Sequence, residues 1–219
     1  MGFNSIGTVN SQGRYEELGI NGVYTFNGDI EAGNFKNNGV VTVNGSLKVD
    51  EAVKVNGTQT VSGGLQSKEI KINGTMTVGG NIEAGWLKIN GTVTAKENIE
   101  ADEIKLNGTL SCNGQISADL VNAGNGHINA KELVGETILL IPTEERKRDW
   151  DWLRRSKNRH RVEVIEATEV SIDHTKCGRV SGENVYIGAD CEIDKVEYTK
   201  TFKAEKGAVI REIIGPDAQ

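Results

Sequence analysis

Side chains that could perform catalysis or bind a metal are few and widely spaced in this sequence. The histidines and cysteines are His127, His160, His174, Cys112, Cys177 and Cys191. No histidine has an evident partner for general acid–base chemistry, and the cysteines lack the CxxC spacing of zinc and redox motifs. The acidic residues are scattered, without the paired carboxylates of a glycosidase. The sequence therefore predicts no catalytic residue, no cofactor and no metal site, and we expect the cysteines to be small buried thiols.

Lysine recurs at a fixed spacing that predicts a surface array. It is found at equal intervals along the chain, at Lys54, Lys71, Lys88 and Lys105. A solvated face explains this column, because nearby acids such as Glu69 and the solvent partly offset the repulsion. The functional interpretation is a lateral partner that carries acidic groups.

A Thr-x-Thr array recurs at the same spacing. Its members are Thr58/Thr60, Thr75/Thr77, Thr92/Thr94 and Thr109/Ser111. Flat threonine arrays on solenoids resemble those of ice-binding proteins, which are a different functional class. Threonine is also favoured on exposed strand faces, Gln59 interrupts the apolar column beneath the array, and the first residues lack the pattern of a secretion signal. We therefore favour an ordinary exposed strand face.

The elements that must carry these arrays are set by a 17-residue apolar repeat. One column runs Val53, Ile70, Leu87, Ile104 and Val121. Each repeat contains three apolar pairs with a spacing of two, as in a half-buried strand. Asn-Gly marks one corner of the repeat, and because three apolar pairs separate successive corners, a hairpin meander is excluded. The sequence thus predicts an all-β fold, a parallel β-solenoid with three short strands and about 17 residues per coil.

Composition agrees with a solenoid and limits the partners. The chain has 219 residues, 27 Gly, 2 Pro, 5% aromatic residues and a net charge of −6. Layers of Val, Ile, Leu and Ala need no bulky residues, and single coils are expected to be unstable alone. The negative charge argues against nucleic acid as a partner. No apolar segment reaches the length of a membrane span, so a cytoplasmic location is expected.

A charged segment interrupts the repeat after Pro142. Residues 144–161 contain eight Lys and Arg against four Asp and Glu, a net +4 that leaves about −10 for the remainder. Thr143 could N-cap a short helix. The candidate partner or membrane contacts are Arg146, Lys147, Arg148, Trp150, Trp152, Arg154 and Arg155. A solvated excursion from the solenoid is the alternative to a contact with a membrane surface, with nucleic acid or with an acidic neighbouring subunit.

These patterns divide the chain into four parts. We expect an N-terminal tail with a partial first coil at 1–17, a main solenoid at 18–141, the charged insert at 142–161, and C-terminal coils of the same body at 162–219. Within the main solenoid, an extra residue around Asp50 lengthens one repeat by a single position.

The coil sequence resembles the bactofilins, the polymer-forming cytoskeletal family of bacteria. The similarity lies in Asn-Gly-punctuated elements such as Lys71-Ile72-Asn73-Gly74-Thr75 and Gly80-Asn81-Ile82-Glu83-Ala84. The segment from Asn184 to Tyr198 is similar to longer members from Gram-positive bacteria. The resemblance implies a right-handed β-helix that polymerises end to end without nucleotide, often near the membrane, as a scaffold for cell shape or motility.

The open strand edges at the two ends of a solenoid point to the same function, since unpaired backbone groups must be capped or paired. The predicted self-assembly residues are Leu18, Ile20, Tyr24, Phe26, Phe202, Ile210 and Ile213. The sequence therefore predicts a nonenzymatic cytoplasmic scaffold whose main partner is itself, and which reaches the inner membrane surface, or another scaffold or envelope protein, through the insert.

Two other functions remain open on the sequence. A monomeric solenoid could bind a partner through its threonine or lysine array. The segment Ile187–Ile193 has a passing similarity to the repeat of hexapeptide acyltransferases, although those enzymes have a left-handed coil of a different length with a catalytic histidine in a loop.

Overall fold

A computed structural model describes residues 2–3, 5–10, 13–142 and 160–216 of the chain. All regular secondary structure in these residues is β-strand. The predicted helix of the insert, and its candidate contact residues, lie outside the described residues.

The strands alternate between long and short through the first half of the molecule and are longer in the second half. They run Gly2–Phe3 (β1), Ile6–Val9 (β2), Gly13–Ile20 (β3), Val23–Phe26 (β4), Ile30–Asn37 (β5), Val40–Val43 (β6), Leu47–Val55 (β7), Thr58–Val61 (β8), Leu65–Ile72 (β9), Thr75–Val78 (β10), Ile82–Ile89 (β11), Thr92–Ala95 (β12), Ile99–Leu106 (β13), Thr109–Asn122 (β14), His127–Leu140 (β15), His160–Ile172 (β16), Thr175–Ile187 (β17), Glu192–Ala204 (β18) and Val209–Ile214 (β19).

These strands stack in parallel as a β-solenoid of about 11 turns in the described residues. Strand β11 pairs with β9 on one side and with β13 on the other, and each pairing places equivalent positions of successive repeats opposite one another. The all-β solenoid predicted from the sequence is confirmed.

Each winding has three faces, although only two strands span them. In the winding of β11 and β12, the inward pairs are Ile82/Ala84, Leu87/Ile89 and Val93/Ala95, which we call the first, second and third faces. The first two faces lie on the long strand β11, where the pairing skips Gly85. The corner between them is tight enough that the strand continues through it, whereas the other two corners interrupt it.

The Asn-Gly corner requires glycine because successive windings approach closely there. A Cβ atom on Gly91 would lie 1.9 Å from the carbonyl oxygen of Gly74, and one on Gly108 would lie 1.9 Å from that of Gly91. Positive φ is not the reason, since among the described glycines only Gly28 and Gly207 have it. The lack of a side chain, rather than backbone freedom, explains the repeated glycine.

The asparagine of the same corner forms a continuous hydrogen-bonded column. The Asn90 side-chain Nδ2 donates to Oδ1 of Asn73 at 2.8 Å, and Asn107 donates in the same way to Asn90 at 2.9 Å. The members of this asparagine ladder are Asn21, Asn38, Asn56, Asn73, Asn90 and Asn107. Each side chain thereby ties its winding to the preceding one.

The register departs from the regular offset at two kinds of place. Ala32 lies opposite Val49 but Asn34 lies opposite Ala52, so the extra residue predicted near Asp50 is present as a bulge. Between β16 and β17 the offset is two positions shorter, as in the pair Ala167 and Gly182. The regular offset returns further along, where Val185 pairs with Phe202 and Ile193 with Ile210, as the sequence predicts.

Candidate assembly surfaces

The first winding forms the N-terminal end face, which consists of Phe3, Val9 and Tyr15. These side chains are partly buried against the core. The Phe3 ring meets Tyr24 edge-on at a centroid distance of 4.8 Å, and Phe26 at 5.9 Å. Strands β1 and β2 each pair with a single strand, β3 and β4. Within the described residues, the outer edges of β1 and β2 therefore lack a partner strand, and they lie over an aromatic floor.

The last winding forms the C-terminal end face, which consists of Phe202, Ile210 and Ile213. Phe202 stacks on Tyr198 at 5.2 Å, and Ile213 is 40% exposed. Ile213 lies over the buried residue Val196 in the β18–β19 pairing, so it continues an inward column. Strand β19 pairs with β18 alone among the described strands. This end therefore also combines an unpaired strand edge with apolar side chains.

The structure places the predicted self-assembly residues unequally. Phe202, Ile210 and Ile213 lie at the C-terminal end face. Leu18, Ile20, Tyr24 and Phe26 are instead buried beneath the first winding, with exposed fractions of 1%, 0%, 8% and 0%.

Sequence reasoning missed the residues of the N-terminal end face as surface residues, although the signal was present. Phe3, Val9 and Tyr15 lie opposite Ile20, Phe26 and Ala32, their equivalents in the next repeat of the chain. Extending the repeat backwards by one period would have found them.

Lysines lie directly over one another on the outside of the second face. Lys36 pairs in register with Lys54, and the column continues through Lys71, Lys88 and Lys105. We call these five residues the lysine ladder; the sequence pattern indicated its last four members. None forms an ion pair with another described residue, and Lys88 lies 5.7 Å from the centroid of the Trp86 ring.

The threonine array covers the outside of the third face and changes character toward the N-terminus. Thr75 and Thr77 lie opposite Thr92 and Thr94 in flat, regular register. In the earlier windings the first column becomes apolar, with Ile6, Val23 and Val40 exposed by 82%, 45% and 45%. Polar hydroxyls thus occupy the middle of this face, and β-branched apolar side chains its N-terminal part.

A shallow acidic groove of about 700 Å³ runs along the first face. Its carboxylates are those of Glu83, Glu100, Asp102 and Asp119, and all four residues are exposed. Its floor consists of the small residues Ser67, Ala84, Ala101 and Ala118. We call this surface the acidic groove; at its N-terminal end, Lys68 is already paired with Glu51 at 2.7 Å.

Two histidines lie together where the chain rejoins the solenoid after the insert. The His160 ring is buried and stacks on His127 at 6.1 Å, and its Nδ1 accepts the backbone N–H of Ile128 at 3.2 Å. Burial, with a smaller contribution from His127 and His174, lowers the pKa of His160 to about 3. A neutral histidine enclosed in this way is built into the interior rather than presented to a substrate.

The cysteines are buried free thiols, as expected from the sequence. Burial raises the pKa of Cys177 to about 12 and also raises that of Cys112. Low thiolate content makes a thiol a poor nucleophile. In the described part of the chain, no group of His, Cys, Asp and Glu is arranged to hold a metal ion, and no helix is long and apolar enough to cross a membrane.

Comparison with known proteins assigns the central windings to a family. Residues 37–132 match the bactofilin family model, which describes polymer-forming cytoskeletal proteins. No curated protein and no solved structure matches the chain. The matched segment contains most of the asparagine ladder and most of the lysine ladder. The similarity first noticed in the Asn-Gly coils is thus confirmed, and the chain carries a domain of the bactofilin family.

Proposed function

We propose that this protein is a nonenzymatic scaffold that polymerises end to end, without nucleotide, into filaments. The matched family is polymer-forming and cytoskeletal, and the two end faces are the surfaces that we assign to polymerisation. Joining them would add a parallel winding to each edge, as every internal winding does for its neighbour.

The observation that carries this proposal is the chemistry of the end faces. In the described residues each has unpaired strand edges and apolar side chains, with Phe3 and Val9 at one end and Ile210 and Ile213 at the other. Exposed edges of this kind favour pairing with another chain, and apolar burial adds to the free energy of association. Filaments built in this way would support bacterial cell shape, envelope organisation or motility.

The proposed location is the cytoplasm, peripheral to the inner face of the membrane. The support is the basic insert, whose tryptophans and arginines have the composition of a membrane-interface or protein contact. Deleting residues 143–159, which precede β16, should abolish binding to anionic vesicles in flotation while filaments persist. Unchanged vesicle binding would return the insert to a solvated excursion.

The C-terminal end face allows a matched test of polymerisation. Ile213 continues the inward column of Val196, whereas Ile214 lies over the outward-facing residue Glu197. Ile213→Asp would place a carboxylate in the proposed interface, and Ile214→Asp would place the same charge beside it. We expect Ile213→Asp to shorten filaments strongly in negative-stain electron microscopy and to raise the concentration needed for sedimentation, because a buried unpaired charge is costly.

The opposite end provides a second pair of variants. Val9 lies over Phe26 in the inward column, and Thr8 lies over Thr25 in the outward column. Val9→Asp should shorten filaments and Thr8→Asp should not. Equal filament length in Ile213→Asp, Val9→Asp and their controls would contradict the end-to-end proposal. Uniform small particles from the unmodified protein would favour a monomeric binding module.

A further inference from the structure

The lysine ladder concentrates positive charge on a chain that is otherwise acidic. Its five ammonium groups project from one face at intervals of about 4.8 Å, the spacing of neighbouring strands. Like charges directly opposite one another on a sheet are destabilising. The arrangement is therefore unfavourable for the isolated molecule and becomes favourable only when an anionic surface covers it.

The described residues of the same molecule do not supply that surface. The ion pairs of the neighbouring windings use other cations, as in Arg14 with Glu31 and Lys68 with Glu51. Glu69 and Glu103 lie in the adjacent column, separated by Trp86, and form no ion pair with the ladder. The lysine ladder thus stays unneutralised within the part of the chain that the structure describes.

The acidic groove has the opposite charge and the same period. Glu83 lies opposite Glu100, and Asp102 and Asp119 occupy equivalent positions on successive windings. Glu83 accepts a hydrogen bond from Gln66 at 3.1 Å, and none of the four carboxylates forms an ion pair with a described residue. The small side chains of the floor leave a concave surface that long side chains can enter.

The two surfaces cannot meet within one molecule because they lie on different faces of each winding. In β11, Glu83 points out from the first face and Lys88 from the second, on either side of the bend at Gly85. Both surfaces repeat once per winding, so two molecules that lie side by side can match every lysine with a carboxylate when they are shifted by whole windings.

We propose that the lysine ladder of one copy docks laterally in the acidic groove of a second copy. Such a contact joins two different surfaces, so each copy keeps one unused surface of each kind and association continues sideways. The proposal rests on the proposed function, because it describes how the filaments would associate into bundles or sheets. It also predicts that ionic strength controls this association, since exposed ion pairs are screened by salt.

The test is charge reversal with a charge-matched control. The double variant Lys71→Glu and Lys88→Glu reverses two central rungs of the ladder. The control, Lys96→Glu with Lys131→Glu, makes the same change of net charge at two exposed lysines outside the ladder. We expect the ladder variant to form single filaments of normal length with at least about tenfold less bundled protein in low-speed sedimentation, and the control to bundle like the unmodified protein.

Charge exchange supplies the rescue. Glu100→Lys with Asp102→Lys should abolish bundling alone and restore it when mixed with the ladder variant, because reversed surfaces then face one another. Raising the salt concentration from about 50 mM to about 500 mM should disperse bundles of the unmodified protein but leave filaments, since the Debye length shortens severalfold. Bundling of the ladder variant equal to that of the control would overturn the proposal.

Two further outcomes separate this inference from its alternatives. Lysine-dependent binding to vesicles containing phosphatidylglycerol, without lysine-dependent bundling, would overturn it in favour of a lipid surface. If the unmodified protein forms no filaments at all, the proposed function fails, and analytical ultracentrifugation decides the lateral contact. A salt-sensitive oligomer that the ladder variant loses would then support it, and a monomer at low salt would overturn it.

Discussion

The buried histidine at the junction with the insert makes the stability of this region depend on pH. His160 occupies an inward position, with Ile128 before it and Thr175 after it in the same column. The charged and titratable groups around it are His127, Arg161, Asp173 and His174. Burial is the main reason that its pKa lies at about 3, far below the 6.5 of an unperturbed histidine.

The sign of the effect follows from where the proton binds. Below pH 6.5 the unfolded chain takes up a proton on this ring, whereas the folded chain stays neutral down to about pH 3. Protonation therefore favours the unfolded or locally opened state, and stability falls as the pH decreases through this window. Each pH unit is worth about 1.4 kcal/mol, so acidification from pH 6.5 to pH 5 should cost about 2 kcal/mol, or about 30-fold in an opening equilibrium. Burial also lowers the pKa of His127, which adds to the loss in the same direction.

Hydrogen exchange measured by mass spectrometry resolves this loss by region, which a single unfolding midpoint of a solenoid cannot do. After correction for the intrinsic exchange rate, amides of β15 to β17 should lose protection on acidification, while those of β5 to β7, which contain no histidine, should not. His160→Asn keeps an acceptor for the Ile128 N–H and removes the titration, so it should abolish most of the pH dependence. A pH dependence that is equal in the two regions, or unchanged in His160→Asn, would refute the reasoning.

Two further predictions concern the Asn-Gly corner. Gly91→Ala should lower the stability by several kcal/mol in thermal unfolding because its Cβ would lie 1.9 Å from a backbone oxygen, whereas Gly64→Ala, whose Cβ would have its nearest neighbour at 3.4 Å, should change it little; equal effects would contradict the close-approach explanation. Asn90→Ala removes two bonds of the asparagine ladder and Asn107→Ala removes the one between Asn107 and Asn90, so the first should cost about 1–2 kcal/mol and the second about half as much.

The central windings could be predicted from the sequence because each position repeats its environment. The column of Val53, Ile70, Leu87, Ile104 and Val121 is buried throughout, since each full repeat returns the chain to the same face of the winding. Even the irregularity near Asp50 was visible, because the apolar columns resume after it with a single-residue shift. A repeated environment lets one pattern be checked many times along the chain.

The shorter offset in the C-terminal half could not be predicted because it depends on corner geometry. Three residues separate the inward positions Ile89 and Val93, but only two separate Ile172 and Thr175. His174 closes this shorter corner with a φ of 47°, a left-handed conformation that is uncommon outside glycine. No residue pattern in the sequence signals that a histidine will adopt it, so the columns lose their alignment in a single-period search.

The stacking that builds this molecule also determines how its two proposed contacts differ. At the ends, a new winding meets apolar side chains and an unpaired strand edge, so that contact depends on burial and is little affected by screening. On the sides, in-register stacking converts each repeated surface residue into a line of identical charges, so lateral contact depends on Coulomb attraction at exposed sites and weakens with salt. Ionic strength should therefore separate the two assemblies: filaments that lose their bundles but keep their length at high salt are the state in which both mechanisms hold, and filaments that shorten in parallel with the loss of bundles would show that the end contact too is largely electrostatic.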